Sequence, residues 1–135
     1  MHPFQLSAID HVAIRVADIK ASVEWYERVL GLKKVAPKEW KPYPIFMMQG
    51  KFGVALFPAR IRDPQLDNAS KNVKIDHFAF NVTKQDFNKA QTCFQEQGIP
   101  FDFQDHHYFH SIYLHDPDGH TVELTTLVNG ENIFS

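Results

Sequence analysis

With 135 residues, 44% of them apolar and 13% aromatic, the chain has the length and composition of one folded domain rather than of a disordered segment. A formal charge of −2 gives no electrostatic reason to expect nucleic acid or an anionic membrane as partner, and no apolar run approaches the ~20 residues that span a bilayer. The single cysteine, Cys93, permits no internal disulfide, and residues 1–5 lack the basic start and apolar stretch of a signal peptide, so a reducing cytoplasm is the expected location.

Residues 9–16 alternate with period two, which predicts a strand with Val12, Ile14 and Val16 on one face and His11, Ala13 and Arg15 on the other. Asp18 is the expected N-cap of a helix over 19–30, with Ile19, Val23, Tyr26 and Leu30 as its apolar stripe and Gly31 as its stop. Short strands are expected near 32–35, 45–49 and 53–57, set apart by Pro37, Pro42, Pro44 and Gly50. Residues 58–73, with Pro58, Asp63, Pro64, Asp67, Asn68 and Ser70, read as a linker. A strand over 74–82 follows, and Thr83 with Asp86 three residues on resembles a capping box. Phe87, Ala90 and Phe94 then form the stripe of a helix that stops at Gly98. Strands near 100–104, 109–115 and 121–126 complete the chain, and the last two are joined by the tight turn Asp116-Pro117-Asp118-Gly119-His120.

The order of elements occurs twice, and so does a tripeptide: Ile9-Asp10-His11 returns 66 residues later as Ile75-Asp76-His77. Such self-similarity marks a duplicated unit. The expected fold is α+β: one domain over 1–135, built from βαβββ modules at 8–57 and 74–127 joined by 58–73. The modules would form a curved, mixed sheet around a metal-binding cavity, with the helices outside.

If the helices cover the Val12/Ile14 and Phe78/Phe80 faces, His11 and His77 share the opposite, inner face. With Val122 and Leu124 under the helix, Thr121, Glu123 and Thr125 point the same way. Two imidazoles and one carboxylate leave open positions on a six-coordinate ion, a pattern that suits iron and also manganese, nickel or zinc. Ala55 matches Glu123 in the repeat, so duplication supplies three ligands and not four. The alternative role for a strand histidine is a structural hydrogen bond, although a buried carboxylate needs a partner or a cation.

Arg15, on the His11 face, suits a substrate anion, or else reaches solvent from a strand end. Ser111 and Tyr113 face inward if Ile112 and Leu114 face the helix. His106, His107 and His110 lie beside that strand, where one could carry a proton near neutral pH and the others would be loop residues. Phe57, Phe101, Phe103, Met47 and Trp40 are candidates for apolar walls around an aromatic ligand, and equally for core.

The paired I-D-H strands, the stretch from Trp25 to Leu32, and Tyr113-Leu114-His115-Asp116-Pro117-Asp118-Gly119-His120-Thr121-Val122-Glu123-Leu124 resemble the vicinal oxygen chelate superfamily. The likeness runs from about Ala8 to Thr126. It implies paired βαβββ modules, a divalent metal at His11, His77 and Glu123, a small-molecule substrate and a homodimer, with module exchange between chains permitted by the long linker. Asp105-His106, Tyr113 and Glu123 resemble the extradiol dioxygenase signature. That resemblance implies catalytic roles for Tyr113 and His106 and Fe2+ as the favoured ion (Mn2+, Ni2+ or Zn2+ otherwise); Arg15, Ser111, Phe57 and Phe103 are the substrate contacts expected from the faces and apolar walls read above. Glyoxalase-type lyases or isomerases and fosfomycin-modifying enzymes are the alternative reactions, and a metal-free drug- or metabolite-binding protein is the alternative class. The chain departs from these patterns at Ala55, where glyoxalases carry a fourth ligand, and at Ala13, where fosfomycin enzymes carry threonine. It also lacks, between Val54 and Asp76, the further acid-base histidine of extradiol enzymes.

Overall fold

In the computed structural model, which describes residues 2–128, the first alternating segment becomes β1 (His11–Val16). It is followed by α1 (Ile19–Leu30), β2 (Lys33–Val35), a 3-10 turn at Lys38–Trp40, β3 (Ile45–Gln49) and β4 (Phe52–Pro58). The order recurs as β5 (Phe78–Asn81), α2 (Lys84–Glu96), β6 (Asp102–Asp105), β7 (Phe109–His115) and β8 (Thr121–Leu127). The chain divides into two units, Met1–Pro64 and Gln65–Ser135, and this boundary falls inside residues 58–73. Each unit is a four-stranded mixed sheet with one α-helix, an α+β architecture.

The two sheets share one topology. Their strand orders are β1-β4-β3-β2 and β5-β8-β7-β6; in each, the first strand runs parallel to the last and the other pairings are antiparallel. The parallel pairing follows from the helical crossover between the strands. Both crossovers are capped as the residue types dictate. The Asp18 carboxylate accepts from the Ala21 N–H at 3.1 Å, and the Thr83 hydroxyl accepts from the Asp86 N–H at 3.1 Å. Gly31 takes the left-handed conformation, and the N–H groups of Gly31 and Leu32 return to the carbonyls of Glu27 and Tyr26.

Both first strands are shorter than the alternation predicts. The expected segments at 9–16 and 74–82 become His11–Val16 and Phe78–Asn81, and Ile9 and Ile75 are 80% and 75% exposed. The cause is the partner strand. His11 pairs with Gly53 just after the Gly50 turn, and Phe78 pairs with Val122 just after the Gly119 turn, so the ladders run out there. β6 starts at Asp102 rather than at 100, since Pro100 has no N–H for a ladder. Helix α1 is also rotated from its expected stripe. Ser22 and Tyr26 are fully buried while Ile19, Val23 and Leu30 are only half-buried.

The helix-side core of the first unit is Ile14, Val16, Tyr26, Leu32, Met47, Val54 and Leu56; that of the second is Phe87, Phe94, Ile112, Leu114, Val122 and Leu124. Burying these side chains supplies the main drive to fold each sheet. Gly53 sits where β4 meets both β1 and β3, and a Cβ there would press into the Met47 carbonyl oxygen. Gly53→Ala is therefore expected to destabilise the protein by about 1–3 kcal/mol, seen as a lower urea midpoint; an unchanged midpoint would show that the backbone yields there.

Candidate functional site

In the second unit, register settles which side chains share a face. β8 pairs Glu123 with Tyr113 on one side and with Ala79 on the other, and Thr125 with Ser111 and Asn81. Paired residues point the same way, so Ser111, Tyr113, Glu123 and Thr125 lie on the face away from Val122, Leu124 and Ile112. His77 precedes β5 by one residue, two positions before Ala79, and reaches the same place.

Glu123 is only 5% exposed, and both of its oxygens are engaged. Oε2 accepts a hydrogen bond from the Ser111 hydroxyl at 2.7 Å, and Oε1 stands 2.9 Å from His77 Nε2. The other His77 nitrogen, Nδ1, lies 2.8 Å from Asp76 Oδ2. A neutral imidazole has one N–H to donate. With carboxylate oxygens at both nitrogens, the ring is satisfied either as imidazolium or with a cation in place of the Nε2 proton. The hydrogen bond from His77 is the main reason the Asp76 carboxyl is held below its ordinary value.

Tyr113 flanks this pair. Its ring stands edge-on to that of His77, with centroids 5.8 Å apart, and its hydroxyl is 2.9 Å from His106 Nε2. Burial first, and then the Glu123 charge, push the phenol above its ordinary value. Tyr113 is therefore a proton-bearing hydroxyl at neutral pH, with an imidazole at hand to exchange that proton.

The first unit repeats half of this arrangement. His11 Nδ1 lies 2.7 Å from Asp10 Oδ1, as His77 Nδ1 does from Asp76, which leaves Nε2 as the nitrogen to bind a ligand or ion. Carboxylates that hold the outer nitrogen of an imidazole are characteristic of metal-binding histidines, because they set tautomer and ring orientation. Ala55 pairs with Ala13 as Glu123 pairs with Ala79, so alanine does occupy the repeat position of the carboxylate. Around His11 the face is aromatic: Phe46 is edge-on at 4.9 Å and Trp40 lies 5.1 Å beyond it. Arg15 donates to the Pro58 carbonyl at 3.1 Å and its guanidinium stands 5.3 Å from the Phe57 ring centre.

The structure thus joins His77 with Glu123 and Tyr113 with His106, and places His11, Arg15 and Phe57 in the first unit. Among the described residues, no group of three or more His, Cys, Asp or Glu side chains stands arranged to hold a metal ion. Three residues read as pocket walls belong elsewhere. Phe103 meets Phe87 of α2, Phe101 meets Phe94, and Met47 is fully buried in the helix-side core. Each lies on, or beside, a strand position of the opposite parity from Tyr113 or Ala55. His110 likewise lies on the α2 side, 3.6 Å from Asp105 and against Phe103. His107 adopts a left-handed conformation, φ 70°, in the loop. The roles of Asp10 and Asp76 were open to sequence reasoning, since each directly precedes a candidate ligand in both repeats.

A family model described as the Glyoxalase/Bleomycin resistance protein/Dioxygenase superfamily matches residues 8–124. The chain is 28% identical over 122 residues to the glutathione transferase FosA of Serratia marcescens, covering 88% of this chain and 80% of that protein. It is 25% identical over 135 residues to the metallothiol transferase FosB of Staphylococcus epidermidis, covering 90% and 83%. A glyoxalase/dioxygenase from Nostoc punctiforme shares the fold with TM-score 0.78 at 22% identity, over 96% of this chain and 97% of that one. A lactoylglutathione lyase from Agrobacterium tumefaciens superposes with TM-score 0.70 at 25% identity, over 90% and 94%.

Because the Glu123 charge contributes to the Tyr113 shift, Glu123→Gln should move the Tyr113 titration, followed by NMR of its ζ-carbon, down toward about 10 while burial keeps it above that value. An unmoved midpoint would show that the carboxylate does not act on the phenol.

Proposed function

The chain belongs to the glyoxalase/bleomycin resistance protein/dioxygenase superfamily, and on that premise we propose that it is a divalent-metal-dependent enzyme acting on a small substrate that binds through two neighbouring oxygens. One observation carries this reading: His77, oriented by Asp76, faces a buried Glu123 oxygen across 2.9 Å. Two donors each about 2.1 Å from one ion and roughly 90° apart lie about 3 Å from each other, so the pair fits two adjacent coordination positions. A cation there also neutralises a carboxylate that burial would otherwise penalise. His11, with its matching Asp10 dyad, is the equivalent donor of the first unit. A divalent ion in that site would act as a Lewis acid on the chelated oxygens, with Fe2+ favoured over Mn2+, Ni2+ and Zn2+.

The rest of the chemistry falls to side chains. Tyr113 holds a proton beside Glu123 and offers it to a substrate oxygen, and His106, bonded to the same hydroxyl, takes up or restores that proton. Arg15, its guanidinium over Phe57, is the contact for a substrate anion. A histidine–tyrosine pair next to a histidine–carboxylate pair favours extradiol-type ring cleavage of a catechol-like substrate. A second reading, in which a thiol sulfur bonds to an electrophilic carbon of the chelated substrate while a carbon–oxygen bond at that carbon opens and its oxygen takes up the thiol proton, is supported by similarity over 88% and 90% of the chain to a glutathione transferase and a metallothiol transferase. The glyoxalase-type reaction is less well supported, since Ala55 stands where a fourth ligand would be.

Protein purified without an affinity tag and loaded with Fe(II), Mn(II), Ni(II) or Zn(II) should retain about one metal per chain, and Glu123→Ala should retain little while staying folded by circular dichroism. Wild-type retention below about 0.2 per chain would transfer the protein to the metal-free binders. Oxygen uptake with a catechol panel on the Fe(II) form supports ring cleavage; thiol consumption with fosfomycin and glutathione, without oxygen uptake, would replace it by the transfer reading.

A further inference from the structure

Ser111 faces the same way as Tyr113, and its position alone suggests a substrate contact. Its environment gives it a different task. It is fully buried in the middle of β7, opposite Thr125 of β8. Its hydroxyl lies 2.7 Å from Glu123 Oε2 and 3.2 Å from Thr125 Oγ1, and Thr125 Oγ1 lies 3.3 Å from the His110 carbonyl. An ionised carboxylate only accepts, so the single Ser111 proton is committed to Oε2, and Thr125 directs its own proton to the carbonyl or to the Ser111 oxygen. No proton on Ser111 remains for a substrate.

We propose that Ser111 is a positioning residue that occupies Glu123 Oε2 and so leaves the carboxylate to bind a cation through Oε1 alone. This rests on the metal-dependent reading above. A carboxylate with both oxygens available can chelate and take two positions on the ion. Held at Oε2 by a buried hydroxyl, Glu123 takes one, and a position stays open for substrate.

The duplication supplies an independent argument. Register equates Ala55 with Glu123, Phe46 with Tyr113, and Phe57 with Thr125; two residues before Phe46 stands Pro44, the counterpart of Ser111. Where the first unit has no carboxylate, all three hydroxyls around that position are absent too. The hydroxyls occur together with the acid, as expected if they serve it, and not as general features of the fold.

The test compares wild type with Ser111→Ala, Ser111→Cys and Ser111→Thr by equilibrium Co(II) titration and by the visible absorption of the Co(II) forms. Ser111→Ala should alter the absorption bands as Glu123 becomes bidentate and change the Co(II) affinity about 10-fold or more. Ser111→Cys keeps the volume with a poor donor and should change in the same direction. Ser111→Thr, which restores the hydroxyl, should recover most of the affinity and the wild-type bands. Wild-type affinity and spectrum in both the alanine and the cysteine proteins would overturn the positioning role and leave the metal reading intact. Failure of the wild-type protein to bind Co(II) would overturn both.

Discussion

A carboxylate that has lost nearly all its water must recover that solvation from neighbouring groups, and in this protein Glu123 recovers it from a serine hydroxyl and an imidazole. Much of the second unit is arranged to make that possible. The antiparallel register of β7 and β8 sets Ser111, Tyr113 and Thr125 around the acid, and the parallel pairing of β5 with β8 brings His77 to its other oxygen. The turn before β8 holds that register. The Asp116 carboxylate accepts from the N–H groups of Asp118 and His120, and the Asn68 amide donates to the Asp118 carbonyl. Asp76 then fixes the ring of His77, so a chain of contacts runs from backbone turn to buried acid to oriented imidazole.

The two units show how the copies of a duplicated scaffold diverge. Topology, helix caps and the Asp–His dyad are common to both, and these are the features that build a sheet with an aspartate-held histidine at its rim. On the strands between, the copies diverge. One carries a carboxylate with hydroxyls around it; the other carries alanine, two phenylalanines and a proline, with Trp40 tilted against Phe46 and Arg15 over Phe57.

Much of the architecture was legible from residue order, because period-two alternation, capping residues and glycine stops are local signals. Both helices and the strands at 45–49 and 109–115 are found where that order places them. Strand ends were not legible, since Ile9 and Ile75 stop short of the ladder only because a partner strand turns away. Within the site, alternation sorted Glu123 and Ser111 onto one face, but the parity of Phe103 and Met47 could be judged only against the neighbouring strands. What Ser111 does with its hydroxyl depended on distances of about 3 Å, beyond any pattern in the sequence.

The proposed chemistry requires His77 and Glu123 to hold one divalent ion between them. A crystal grown with Mn(II) and measured near the manganese absorption edge tests it directly. The expected result is a single strong anomalous peak about 2.1–2.3 Å from both His77 Nε2 and Glu123 Oε1, with Ser111 still on Oε2. A map without a peak there, in which the imidazole and the carboxylate remain in direct contact, would contradict it.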